Sequence, residues 1–284
     1  MKSRVALITG ASKGLGAHLV RRFWLDGYSV GVVVRNHSDI QSVLDELPLR
    51  SDQSITPLVC DLSDMTKVAM LIDQIKVVIP QLNVLVNNAA IQGPIGPLCH
   101  NDFSAWQQTL QVNLLAPVSL CQGLIPLMNS PDGASIINLS GGGATGPRAN
   151  FSAYASAKAG LVRFSETIAA ELQGDGIRVN CIAPGAMKTA MLEKVLVSID
   201  AAGDREASLA KEVFTTGGTD MDTVADLALF LASDESKKIT GKLISAVWDN
   251  WSHWPQHLDE LSKSDVYTLR RISGRDRGFD WGDK

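Results

Sequence analysis

Seven short runs rich in aliphatic residues recur along the chain: Val5–Ile8, Ser29–Val34, Thr56–Cys60, Asn83–Val86, Ala134–Leu139, Val179–Ala183 and Lys242–Val247. Runs of this length and composition predict strands buried on both faces, as in a parallel sheet. Between them the pattern turns helical. AHLVRRFWLDG follows the first run and is closed by Gly27. A longer helix is predicted over Trp106–Leu127, with Asn113 inside it and Pro117 placed to disturb it. Residues 190–218 mix short helical runs with AAGD and TTGG, and Glu260–Arg271 has moderate helical character. Strand and helix in regular alternation predict an α/β fold, a doubly wound parallel sheet of about seven strands. No repeat or low-complexity linker calls for a second domain, so residues 1–247 are read as one domain and 248–284 as a C-terminal extension.

Polar residues gather where the runs end. Val5–Ile8 leads into Thr9-Gly10-Ala11-Ser12-Lys13-Gly14-Leu15-Gly16 and then a helix. In that arrangement backbone N–H groups and a helix N-terminus can meet a pyrophosphate. The spacing G-x-x-x-G-x-G is a variant of the usual dinucleotide turn. The second run ends in Arg35 with no acidic residue, and Lys13 adds a second cation. Two cations without a carboxylate suit a ribose 2′-phosphate, so the expected cofactor is NADP, with NAD the alternative. Asp61 and Leu62 follow the third run, where Asp61 is placed to accept from an adenine amino group or to cap a helix. The fourth delivers Asn87-Asn88-Ala89-Ala90, small residues that let a flat ligand approach the backbone.

The stretch SGGGATGPRANFSAYASAK ends in Tyr154 and Lys158, four residues apart and therefore one helical turn apart on one face. A phenol ordinarily ionises near pH 10, and a close cation favours the phenolate. Bringing it to neutral pH takes about 4 kcal/mol of differential stabilisation. Only a close pair in a partly desolvated cleft supplies that much.

Composition narrows the partners. Of 284 residues 45% are hydrophobic, enough for a substantial core, and the net charge of −4 is not gathered into a run. Nucleic acid and anionic membranes are therefore not expected partners. Cys60, Cys99, Cys121 and Cys181 lack metal-ligand spacing and read as free thiols in a reducing compartment, with no metal site. The N-terminus runs almost directly into a strand, and no stretch of ~18 apolar residues suggests a membrane span, so a cytoplasmic location is expected. Four of the six tryptophans lie after Val247 (Trp248, Trp251, Trp254, Trp281), which argues against a solvating tail. The extension is expected to pack on a neighbouring subunit of a homo-oligomer, a dimer or tetramer, or to wrap onto its own domain.

Taken in order, Thr9-Gly10-x-x-x-Gly14-x-Gly16, Asp61, Asn87-Asn88-Ala89-Ala90, Asn113, Ser140, Tyr154-x-x-x-Lys158 and Pro184-Gly185-x-x-x-Thr189 resemble the short-chain dehydrogenase/reductase family, in its compact one-domain, Rossmann-like branch. The resemblance covers roughly residues 4–247. It implies an oxidoreductase interconverting a secondary alcohol and a ketone on a small molecule. Tyr154 would be the acid or base, Lys158 would depress its pKa and hold the nicotinamide ribose, Ser140 would donate to the substrate oxygen, and Asn113 would hold a water or backbone link behind Lys158. Cofactor contacts would come from Gly10, Ser12, Lys13, Gly14, Leu15, Gly16, Arg35, Asp61, Leu62, Asn88, Ala89, Ala90, Tyr154, Lys158, Pro184, Gly185 and Thr189. Residues 190–218 would be a substrate lid. Ala90 stands where the family usually has Gly. Ungapped counting back from Tyr154 lands on Gly141 rather than Ser140; the three glycines 141–143 leave room for the loop to restore Ser140, with Ser152 a weaker candidate. That untypical loop keeps enoyl reduction open as an alternative, beside a non-catalytic nucleotide-binding role.

Overall fold

The computed structural model describes residues 4–45, 47–129, 133–279 and 281. Seven strands form one fully parallel sheet: β1 (Val5–Thr9), β2 (Ser29–Val34), β3 (Ile55–Val59), β4 (Val84–Asn87), β5 (Ala134–Leu139), β6 (Ile177–Ala183) and β7 (Leu243–Ser245), in the order β3-β2-β1-β4-β5-β6-β7. Helices fill the crossovers: α1 (Gly14–Leu25), α2 (Gln41–Leu44), α3 (Met65–Val78), α4 (Phe103–Leu110), α5 (Ala116–Leu124), α6 (Ser152–Glu171), α7 (Ala190–Val197), α8 (Ile199–Ala202), α9 (Asp204–Thr216) and α10 (Met221–Ala232), while α11 (Leu258–Lys263) follows the last strand.

Successive strand side chains alternate between two cores, as the pleat dictates. Ile8, Val86 and Ile137 join α1 and α10 on one face. Leu7, Leu85 and Ile136 join α3, α5 and α6 on the other. Because both faces are covered, the strands carry continuous apolar runs rather than an alternating pattern. Pro57 is tolerated because β3 is an edge strand, where a missing N–H breaks no ladder on the open side.

Several expectations shift. β3 begins and ends one residue earlier, β4 one residue later, β6 begins two residues earlier, and β7 is only three residues long. The helix expected over Trp106–Leu127 starts at Phe103 and is interrupted by a π-helical segment, Gln111–Leu115, between α4 and α5. Pro117 lies directly after that segment, at the second residue of α5, so the expected disturbance takes the form of a widened turn rather than a break. Among the described residues this helix, Phe103–Leu127, is the one long and apolar enough to cross a membrane. It is instead a layer of the α/β stack, with α4 against α6 and α5 against α3.

The extension wraps onto its own chain. Lys242 Nζ donates to the carbonyls of Ser264 (2.7 Å) and Val266 (3.0 Å), and Leu243 N donates to Tyr267 O (2.8 Å). Leu269 N reaches Glu166 Oε1 on α6 (2.6 Å), while Arg163 donates to Leu269 O. These bonds cover β7, the open edge of the sheet. Of the anticipated Glu260–Arg271 helix region only Glu260–Lys263 is α-helical, as the end of α11, because the following residues spend their backbone groups on the sheet edge.

Candidate active site

The strand order reverses direction between β1 and β4, and in such sheets ligands bind beyond the strand C-termini at that switch point. Thr9 and Asn88 join the two strand ends. Thr9 Oγ1 accepts from Asn88 N and Ala89 N, both at 3.0 Å, and Asn88 Nδ2 donates to Thr9 O (2.9 Å) and Gly10 O (3.3 Å). Asn88 therefore spends its side chain on shaping the glycine turn. Two positions of the turn admit no side chain: a Cβ on Gly10 would sit 2.8 Å from Ala89 Cα, and one on Gly16 2.0 Å from Gly10 O. α1 opens without a side-chain cap, so its first N–H groups stay available to an anion. Ser12, Lys13 and Gly14 line the open side; the Leu15 side chain is buried in the core and only its backbone can contribute.

Across the cleft, Gly14 faces Thr189, whose Cγ2 lies 3.7 Å from where a Gly14 Cβ would be. Thr189 opens α7. Gly185 fits tightly against Thr219 and Val247, and Pro184 is buried. Arg35 stands exposed just past β2 and Asp61 just past β3. Asp61 accepts from Ser63 N (3.0 Å) and Ser63 Oγ (2.8 Å), which hold its carboxyl below the usual range, with Lys67 and Arg35 adding to the effect. Asp64, not Asp61, caps α3, and Leu62 belongs to the core. A collision-prone glycine cradle, an uncapped helix start and two exposed cations fit a phosphorylated dinucleotide.

Tyr154 and Lys158 lie in the first two turns of α6, both buried. Lys158 Nζ donates to Leu139 O at 2.6 Å and stands 5.7 Å from the Tyr154 ring centroid. Burial pushes the Lys158 ammonium down to about 8. Burial likewise pushes the Tyr154 phenol up. The Lys158 ammonium is directed at the end of β5, and Arg148 is the cation that opposes the burial of the phenol.

Ser140 follows the last residue of β5. Its Oγ is sealed and finds no hydrogen-bond partner, and its N–H is engaged with Ile182 O (2.8 Å). Gly141 is the residue against the phenol: a Cβ there would lie 2.4 Å from Tyr154 Oη. The three-glycine turn leaves Ser140 one position short of Tyr154. Ser152 is engaged elsewhere, accepting from Trp106 Nε1 at 3.1 Å. We expect Gly141→Ala to force the phenol aside by about an ångström. A misplacement of that size at a reacting atom costs on the order of 10²-fold in rate. Steady-state turnover beside a thermal melt tests it; a folded variant with wild-type kcat counts against the packing described.

Asn113 is buried in the π-helical segment, and both of its polar atoms pair with Ile91: Oδ1 accepts from Ile91 N and Nδ2 donates to Ile91 O, each at 2.8 Å. The backbone link expected of it exists, but to the loop after β4 rather than to Lys158. The widened turn supplies the inward angle for this bond. Behind Lys158, Asn87 donates to Asn138 (2.8 Å), and Asn138 to Ser165 (2.7 Å), a buried polar chain across β4, β5 and α6. Two side chains escaped the sequence reading. Gln92 has a buried Nε2 without a partner, and Arg148 lies 3.9 Å from the Phe151 ring centroid and 5.6 Å from that of Tyr154. Neither sits in a motif; loop folding alone brings them in.

Comparison with known proteins agrees with this geometry. A family model described as short chain dehydrogenase matches residues 4–198. The 3-oxoacyl-acyl-carrier-protein reductase FabG of Thermotoga maritima is 31% identical over 247 residues, covering 86% of this chain and 96% of its own. D-threitol dehydrogenase of Mycolicibacterium smegmatis is 29% identical over 242 residues, covering 85% and 90%. A short chain dehydrogenase of Shigella flexneri, solved in complex with NADP, superimposes with a TM-score of 0.73 at 27% identity, covering 87% of this chain and 98% of that one.

Proposed function

The chain belongs to the short chain dehydrogenase family, an oxidoreductase family that uses NAD(P), and from that premise we propose that it interconverts a secondary alcohol and a ketone on a small molecule with NADP. The observation that carries this reading is the buried Tyr154 phenol one turn before Lys158, beyond the C-terminal edge of the sheet beside the switch point. When bound, the nicotinamide supplies or takes the hydride. The chain's own work is proton transfer and positioning. Adding hydride to a carbonyl leaves an alkoxide that needs a proton, and Tyr154 Oη is the group that donates it. Lys158, held at Leu139 O, is placed to bond the nicotinamide ribose. Ser140 carries an unpartnered, buried hydroxyl at the end of β5, and in this reading it becomes the second donor when the glycine turn shifts to uncover it. Asn113 fixes the loop that carries Ala89 and Ala90 toward the cofactor. The relatives, an oxoacyl reductase and a threitol dehydrogenase, support reaction at a C–O centre. The expected assembly is a homo-oligomer in the cytoplasm.

A panel of ketones and secondary alcohols, followed by NADPH absorbance, tests this. Turnover of enoyl compounds with none of ketones would favour the second reading, which Gly141 in place of a hydroxyl against Tyr154 supports. Binding of NADPH with no turnover of either would leave a non-catalytic nucleotide-binding protein.

Cofactor choice has its own test. Arg35 and Lys13 are exposed where a 2′-phosphate would lie, and a charge-assisted bond contributes about 1.5–3 kcal/mol. Arg35→Asp is therefore expected to weaken NADPH by roughly 10–100-fold and to leave NADH unchanged or tighter. Equal effects on the two cofactors would remove Arg35 from the site.

A further inference from the structure

Arg148 lies in the turn between β5 and α6, outside every motif, yet its surroundings are built. Its Nη2 donates to Glu206 Oε2 at 2.7 Å, and the two side chains are 16% and 15% exposed. Glu206 belongs to α9, part of the 190–218 segment read above as the substrate lid. The turn is moulded to the arginine: a Cβ on Gly142 would lie 3.7 Å from Arg148 Cδ, and one on Gly143 3.2 Å from Arg148 Cβ. The guanidinium stacks on Phe151 and faces the Tyr154 ring. Phe151 and Tyr154 share an apolar cluster with Val195 of α7, Ala202 of α8 and Ala210 of α9. The charged groups facing the phenol are thus few. Lys158 comes from its own helix, Arg148 from the turn and, beyond Arg148, Glu206 from α9. The strand end brings Gly141 against the phenol, and α7, α8 and α9 bring the apolar Val195, Ala202 and Ala210.

We propose that Arg148 is a positioning residue for proton transfer: its charge favours the Tyr154 phenolate, and Glu206, by pairing with it, sets how much of that charge the phenol feels. Docking of α9 thereby tunes the acid it covers. This rests on Tyr154 as the acid or base of the proposed reaction. In a partly desolvated cluster the field of a cation a few ångströms away is weakly screened. The opposing effect of Arg148 on the raised phenol agrees in sign.

The test uses two substitutions that break the same ion pair. Arg148→Gln removes the cation and is expected to raise the Tyr154 pKa. Glu206→Gln leaves the cation unneutralised and is expected to lower it. Each should change the ionisation constant by about threefold or more. The phenol is titrated by ultraviolet difference against the same variant carrying Tyr154→Phe, with circular dichroism reporting the fold throughout. The pH profile of alcohol oxidation should move in the same two directions, and Arg148→Lys should restore the wild-type profile. A pair that serves only structure would move both variants the same way or neither, and that result overturns the proposal. If Arg148→Gln does not fold, Glu206→Gln decides alone: a phenol that ionises no earlier there than in wild type overturns it. The titration needs no substrate. Opposite shifts without turnover on any substrate would refute the proposed reaction while leaving this coupling standing.

Discussion

Tyr154→Phe is expected to lower kcat by about 10²–10⁴-fold, the usual contribution of a positioned acid. NADPH affinity should fall by less than about tenfold, the most that one neutral hydrogen bond accounts for. The reason is local. The ring is buried in an apolar cluster with Phe151 and Val195, and a phenylalanine fills the same space while removing the hydroxyl proton. The direction of the pH dependence follows from burial. The phenol is held above its ordinary value, so it is protonated at neutral pH and ready to give a proton in reduction. Oxidation needs the phenolate and should quicken as pH rises. Lys158, pushed down to about 8, loses charge before the raised phenol ionises, so ribose binding should weaken first and limit the alkaline gain in oxidation. Single-turnover rates with each substrate, measured from about pH 6 to 11 so as to reach the phenol's range, check both signs. Full activity in the Phe variant would end the assignment.

Trp254→Ala is expected to destabilise the fold by about 3–5 kcal/mol, the range for deleting a large buried aromatic. Trp254 is 6% exposed, sits in the same core as α1 and α10, and stacks 4.6 Å from Tyr267. Its loss opens a cavity and frees the strand-covering segment whose carbonyls hold Lys242. Trp248 is the internal control. It is 86% exposed, and its replacement by Ala should change stability by no more than about 0.5 kcal/mol. Urea unfolding of the two variants distinguishes an extension that is part of the core from one that merely rests on it. Equal, small effects would show that the extension does not stabilise the domain.

Much of this was legible before folding. Aliphatic runs at β1, β2, β4, β5 and β6 announce a buried parallel sheet because each residue there must be apolar on both faces. The glycine turn is equally legible, since Gly10 and Gly16 sit where any side chain would strike backbone. Tyr154 and Lys158 are one turn apart by helical geometry alone. Boundaries drifted by a residue where polar groups flank a run, as at β3. The π-helical segment was not legible: an added residue in a turn leaves the apolar period nearly intact, and only the Asn113–Ile91 pairing shows what it accomplishes.

What the sequence settled by itself, then, are the properties set by local sterics and by periodicity: the sheet, the cradle and the facing Tyr–Lys pair. Tertiary structure alone decided which groups surround that pair. It placed Gly141 rather than Ser140 against the phenol, aimed Lys158 at Leu139 O, and brought Arg148 and Glu206 together from 58 residues apart. It also turned Trp254 into the sheet's own core. Such contacts depend on loop conformation and on burial of distant segments, and a charge acts through distance and desolvation, neither of which is written in the order of residues.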